Sequence, residues 1–167
     1  RVTQINAPFY LAPQLLKQGL SDYSYNVGFR RNNLGLNSND YGEWQAIAYQ
    51  RYGWTPWLTA GVRGESSAQR INGGPIVNLL LGPSGQYGQL DTSLAVSQDQ
   101  AAVGYGSVSS YTYALPYMSA RLSMQYLSRD YANLAQGAET DKQKLTWLVS
   151  VGGAKAPFGS LSATYAE

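Results

Sequence analysis

The 167-residue chain contains neither cysteine nor histidine. Without cysteine there is no disulfide and no thiolate for metal binding or nucleophilic attack. Without histidine the commonest general base and metal ligand is missing as well, so any catalysis would fall to carboxylates, hydroxyls, lysine or tyrosine. Charge is scarce too. Only 13% of the residues are Asp, Glu, Lys or Arg, against roughly a quarter in an average soluble domain. Twelve basic and ten acidic residues leave a formal charge of +2. Only Arg30 and Arg31 are adjacent basic residues, so no stripe suggests nucleic-acid binding. Mean hydropathy is −0.30, and no run approaches the roughly 18 apolar residues of a spanning helix. Helical membrane spans are thereby excluded. A β-barrel is not, because half the residues of each barrel strand face a polar lumen.

What the chain has in quantity is glycine and tyrosine, 18 and 14 residues, a composition that suits sheets bordered by aromatic girdles. The pattern is clearest in Ser21–Arg31. There Tyr23, Tyr25, Val27 and Phe29 alternate with Ser24, Asn26, Gly28 and Arg30, giving an extended segment one apolar face and one small or polar face. Similar alternation returns at Trp57–Glu65, Gly88–Ser97, Ala102–Leu115, Met118–Tyr131, Lys144–Gly152 and Ser160–Ala166. Glu43–Tyr52 and Ile76–Leu81 read as strands with blurred alternation. Nine strands in an antiparallel up-and-down meander are therefore expected, an all-β fold without a convincing amphipathic helix. Leu15, Leu16 and Leu20 suggest at most a short helical turn in an otherwise extended lead-in, Arg1–Gln18, where Pro8 and Pro13 restrict the backbone.

Most of these strands exceed the roughly 5–6 residues usual in soluble sheets and match the roughly 9–11 of a transmembrane β-strand. The long connections are expected at Asn32–Gly42, Ser66–Pro75 (with Asn72-Gly73-Gly74 at its tip) and Ala132–Gln143. All three are odd-numbered and so lie at one end of a meander, as the longer extracellular loops of outer-membrane barrels do. A face of Ser, Thr, Gly, Asn, Asp and Arg cannot be an ordinary packed core without leaving polar groups unpaired, at a few kcal/mol each. It is expected to meet water or another domain, while the apolar face meets lipid or a second sheet. The chain stops at Ala166-Glu167 within an alternating run, which reads as a piece of a longer barrel.

The run Ala7-Pro8-Phe9-Tyr10, Pro13-Gln14-Leu15-Leu16 and Gly19-Leu20-Ser21-Asp22-Tyr23-Ser24 resembles outer-membrane ushers of the chaperone–usher pathway. In that family such a segment leads from the plug back into the barrel. Shorter likenesses are Asn39-Asp40-Tyr41-Gly42, Arg51-Tyr52-Gly53-Trp54-Thr55 with Leu58-Thr59, Gly106–Tyr111 and Tyr126–Tyr131; Ile71–Pro83 fits the pattern less well. The resemblance implies residues 1–20 as a linker returning from the plug and 21–167 as part of a transmembrane barrel wall. It further implies a multi-pass location in the bacterial outer membrane. The partners would be pilus or fimbrial subunits and their periplasmic chaperone complexes, reached through the full-length protein, together with the protein's own plug and membrane lipid. Subunits would be polymerised by strand addition and passed outward.

No catalytic constellation and no cofactor site is expected. Gly104-Tyr105-Gly106 lies inside a strand rather than between a strand and a helix, so it is a poor phosphate loop and reads as thinning of one face. Asn26, Arg30, Arg63, Glu65, Asp91 and Arg121 share the polar parity and are the candidate pore-lining residues, with solvated wall positions as the plain alternative. Arg63 and Glu65, two apart, could form a same-face ion pair. Tyr23, Tyr25, Val27, Phe29, Leu94 and Val149 are the candidate lipid-facing residues. Trp44, Trp54, Trp57 and Trp147 fit an interfacial girdle or, otherwise, core packing. A porin-like solute channel and a soluble β-sandwich binding or adhesion module are the alternatives. The sandwich requires the apolar parity to be buried between sheets.

Overall fold

A computed structural model of the chain describes residues 15–32, 39–100, 102–115, 118–135, 137–138, 144–152 and 160–166. Nine strands run in succession: β1 (Ser21–Arg31), β2 (Tyr41–Thr55), β3 (Leu58–Ser67), β4 (Arg70–Leu80), β5 (Gln89–Asp99), β6 (Ala102–Ala114), β7 (Ser119–Leu127), β8 (Leu145–Gly152) and β9 (Ser160–Ala166). Each pairs antiparallel with the next, in one sheet ordered β1 to β9. The expected all-β up-and-down meander is therefore what the chain forms. The one helical turn among the described residues is a 3-10 piece at Pro83–Gly85.

Cross-strand register gathers the two parities onto two faces. One row runs Asp22, Arg51, Gly61 and Ile76, and onward from Ile76 to Ser93 and Val108. The face bearing that row is the inner face. The outer face bears Tyr23, Val27, Val62, Leu94 and Tyr105. The strand ends are staggered. Tyr41 pairs with β1, whereas β3 meets β2 only from Gln45 onward; β6 begins at Ala102, but β7 joins it only at Gly106. Such shear tilts strands against the sheet edge and is the geometry by which sheets curl toward barrels. A bulge at Gly53/Thr55 leaves Trp54 as the extra residue next to the β2–β3 turn, and Tyr52 packs edge-on against its ring at 5.2 Å.

Three expectations are corrected. Ser66–Pro75 is not a loop: the chain turns at Ala68-Gln69, where Ser67 Oγ accepts from the N–H groups of Gln69 and Arg70 at 3.4 and 3.3 Å. A hydroxyl completing its own turn displaces the longer loop that Asn72-Gly73-Gly74 suggested. Those three residues instead lie within β4, opposite Glu65, Gly64 and Arg63. Glycine at 74 is there because a Cβ would stand 2.2 Å from the Leu94 carbonyl oxygen. Pro75, which has no N–H, is tolerated because the β4–β5 ladder skips Gly74 and Pro75. Second, Leu15, Leu16 and Leu20 build no helical turn. Leu20 N donates to Lys17 O across a turn in which Gly19 has φ 85°. Third, β7 ends at Leu127 rather than Tyr131, and the residues beyond it are not a solvated loop, since Tyr131 and Ala132 are fully buried. With the third connection reduced to two residues, the longer connections are the first, fourth, seventh and eighth, with nine, eight, seventeen and seven residues, so they are divided between the two ends of the sheet and the one-ended placement expected of them does not hold. The expectations for residues 1–14, including Pro8, Phe9, Tyr10 and Pro13, lie outside the described residues, as do those for 33–38, 116–117, 139–143 and 153–159.

Candidate functional site

The two faces meet different surroundings. On the outer face Tyr23, Tyr25, Val27 and Phe29 are exposed, Val27 to 81%, and so are Leu94 and Val149. Val62, Val96, Tyr105, Leu161 and Tyr165 continue the exposed apolar surface across the sheet. The four tryptophans are exposed too, against the core-packing alternative. On the inner face the polar residues at the centre of the sheet are buried: Thr59, Asn72, Asn78, Asp91, Ser93, Ser97 and Ser110 are all at 3% exposure or less. An aromatic, aliphatic surface faces outward and a Ser/Asn/Asp layer is shut away at the centre of the inner face, against the usual sorting of apolar residues to the inside.

Part of the inner cover is the chain after β7. Ser128 is clipped to β6 in both directions: its N–H donates to Tyr105 O and its Oγ accepts from Tyr105 N, both at 2.9 Å. A turn closed by Tyr131 N on Ser128 O, 3.1 Å, then drives Tyr131 onto the inner face, with Ala132 beside it. The seat is cut by glycine. A Cβ at Gly104 would lie 2.2 Å from Tyr131 N, and one at Gly106 would lie 3.1 Å from its ring. The thinning that Gly104-x-Gly106 suggested thus has an occupant.

Hydrogen bonds fix the rest. Asn72 Nδ2 donates to the Tyr131 hydroxyl at 2.8 Å and to Ala132 O at 3.3 Å. Ala132 N donates to Ser97 Oγ at 2.8 Å. Glu65, ion-paired with Arg63, accepts from Leu134 N at 3.4 Å. Asp99, ion-paired with Arg70 at 3.0 Å, accepts from Ala138 N at 3.0 Å. Side chains of β3 and β5 thereby satisfy backbone donors, and Asn72 of β4 a backbone carbonyl, that burial would otherwise leave unpaired. Burial pushes the Tyr131 hydroxyl up to about 12, the Asn72 hydrogen bond and nearby Arg63 partly opposing and Glu65 reinforcing the shift.

The six candidate pore-lining residues all stand on the inner face, in two groups. Asn26, Arg30 and Arg121 are exposed. Arg63, Glu65 and Asp91 are covered. The Arg63–Glu65 pair forms, but as a sheltered pair beneath the chain, the two side chains 9% and 15% exposed. Asp91 accepts from Asn78 Nδ2 at 2.8 Å and Gln89 Nε2 at 2.7 Å, and Arg121 Nε donates to Ser110 Oγ at 3.0 Å. The polar layer thus does not simply meet water: the chain's own backbone and side chains pair much of it and lower its desolvation cost, while Asn72 Oδ1 and Ser93 Oγ have no hydrogen-bond partner among the described residues. Asp91 and Glu65 are not brought together. Among the described residues no three acidic side chains gather as a metal site would need.

Sequence reasoning missed Asn72, Ser97, Tyr131 and the Asp22–Arg51 ion pair. Asn72 was hidden by the turn-like Asn-Gly-Gly. Tyr131 was hidden because the alternation of β7 runs on past its end. Asp22 and Arg51 are direct cross-strand partners, but a long connection leaves their register unreadable.

Before β1 the chain also lies on the inner side. Leu16 N donates to Thr59 Oγ1 at 2.9 Å, and a Cβ on Gly53 would strike Lys17 O at 2.3 Å. Compared with protein-family models, curated proteins and solved structures, the chain matches none at a significant level.

Proposed function

We propose that this chain is a section of the wall of an outer-membrane β-barrel, and that the barrel is an usher-type pore that assembles chaperone-delivered pilus or fimbrial subunits and passes the fibre outward. The observation that carries the wall reading is the inversion of the sheet: apolar and aromatic outside, hydrogen-bonded and polar inside. Soluble monomers seldom expose apolar patches above roughly 300–600 Å², whereas this face extends from Tyr23 on β1 to Tyr165 on β9. A lipid contact removes that penalty. The stagger of the strands supports closure, and β1 and β9, each paired on one side only, are edges on which further wall strands would add. A soluble sandwich would need a second sheet over the outer face, and the described strands form one sheet.

The usher reading rests on the Ala7–Ser24 resemblance, supported by the path of Leu15–Leu20. The chain reaches β1 from the polar side, as a linker leaving a plug inside the lumen would. In this reading the wall itself carries no chemistry and needs no cofactor; recognition of chaperone–subunit complexes belongs to the full-length protein. The chain after β7 lying on the inner face is the observation that favours a porin-like channel instead, since loops also fold into porin lumens.

The test has two parts. The full-length protein should require detergent and migrate as a heat-modifiable barrel; solubility without detergent would sink the wall reading. Deleting it from a pilus-producing strain should leave subunits in the periplasm and no surface fibres. Normal fibres with altered solute uptake would replace the usher by the channel.

A further inference from the structure

The chain after β7 has properties that a passive connection does not need. It crosses four strands of the polar face, and its contacts come from three successive strands, β3, β4 and β5, each offering one or two polar side chains to its backbone. Its one aromatic anchor sits in a seat from which the wall has removed two side chains, at Gly104 and Gly106. The apolar part of the hold is Tyr131, packed with Ala95 and Leu127 in one buried cluster, with Ala132 fully buried beside it; the rest of the hold is polar.

We propose that Ser128–Ala135 is a strap folded into the lumen that narrows the pore, and that seating of Tyr131 in the Gly104/Gly106 groove under Asn72 sets its closed position. This rests on the barrel-wall reading but not on the usher reading. Asn72 is the latch: one amide holds both the Tyr131 hydroxyl and the Ala132 carbonyl. The ion-paired carboxylate of Glu65 holds the strap farther along through Leu134, and that of Asp99 holds the chain beyond its end through Ala138. Release at Tyr131 leaves those carboxylates paired with Arg63 and Arg70, so the wall keeps its charges compensated when the strap lifts. Opening then widens the lumen without breaking the sheet.

The chain has no cysteine, so once any cysteine elsewhere in the full-length protein is replaced, thiol labelling reports the strap. In the full-length protein, Ser97→Cys places a near-isosteric thiol beneath the strap, and Ser24→Cys places one on the uncovered inner face of β1. A membrane-impermeant maleimide should label the thiol at 97 at least about tenfold more slowly than that at 24, one decade corresponding to roughly 1.4 kcal/mol of opening. Adding Tyr131→Ala, or separately Asn72→Ala, should abolish that protection and raise permeation of a bulky solute through the reconstituted pore. Heat-modifiable migration should persist in at least the milder Asn72→Ala variant. Equal labelling at 97 and 24 without a second change overturns the strap. So does protection and permeation left unchanged by both variants. A parent protein without heat-modifiable migration overturns the wall reading instead.

Discussion

β1 and β5 have the same length, eleven residues, and the same two-faced alternation, yet they live differently. On β1 both faces are largely open, and Asn26, Gly28 and Arg30 are exposed like the aromatics opposite them. On β5 every second residue from Asp91 to Ser97 is buried while Leu94 and Val96 are exposed. Alternation fixes which residues share a face. It does not say which face will be covered, and here the covered face is the polar one.

That difference can be attacked from either face. On the proposed wall reading the largest effect is expected on the outer face: Val27→Arg should cost about 2–4 kcal/mol in a bilayer if the residue lies near its midplane, whereas Asn26→Arg, next along the chain but on the inner side, should stay within about 0.5 kcal/mol. Urea unfolding of the heat-modifiable protein in vesicles measures both. Equal effects would mean that the two faces of β1 see the same solvent. Next is a comparison of glycines. Gly104→Ala should destabilise by about 1–3 kcal/mol through overpacking against backbone, because its Cβ would meet Tyr131 N at 2.2 Å, whereas Gly28→Ala has open space within 4 Å and should be neutral or slightly stabilising. A harmless Gly104→Ala would show that the β6 face is as empty as that of β1.

The smallest expected effect is the strap's response to alkali. Tyr131 is held protonated up to about 12 against a usual value of 10.0. The folded form therefore binds more protons than the unfolded one between those values. Its contribution is complete below about pH 10 and is lost as pH rises towards about 12. Arg63 and Glu65 are the charged groups that act on the hydroxyl. Maleimide protection of Ser97→Cys should fall over it, and Tyr131→Phe should flatten the fall. An identical profile with Phe would assign the loss to other tyrosines.

The strands were legible because a period of two is a local property. Ser160–Ala166 and Ser21–Arg31 could be read almost to the residue, and the outer set Tyr23, Tyr25, Val27 and Phe29 needed no partner to be recognised. β4 was half lost because Asn72-Gly73-Gly74 carries turn chemistry locally while Ser67 completes the turn earlier. The candidate site was legible in part: Arg63, Glu65 and Asp91 were placed on the right parity, but their shelter was not foreseen.

By itself, the sequence determined the all-β class, the sorting of residues between two faces, and the absence of thiol and imidazole chemistry, since composition and alternation are fixed before any strand finds a neighbour. Only the tertiary structure decided that Asn72, Ser97 and Glu65, from three strands, converge on the backbone after β7, and that Gly104 and Gly106 are a seat for Tyr131. Such contacts depend on register and on where β7 ends, and both are set by pairing between distant segments rather than by any stretch of chain alone.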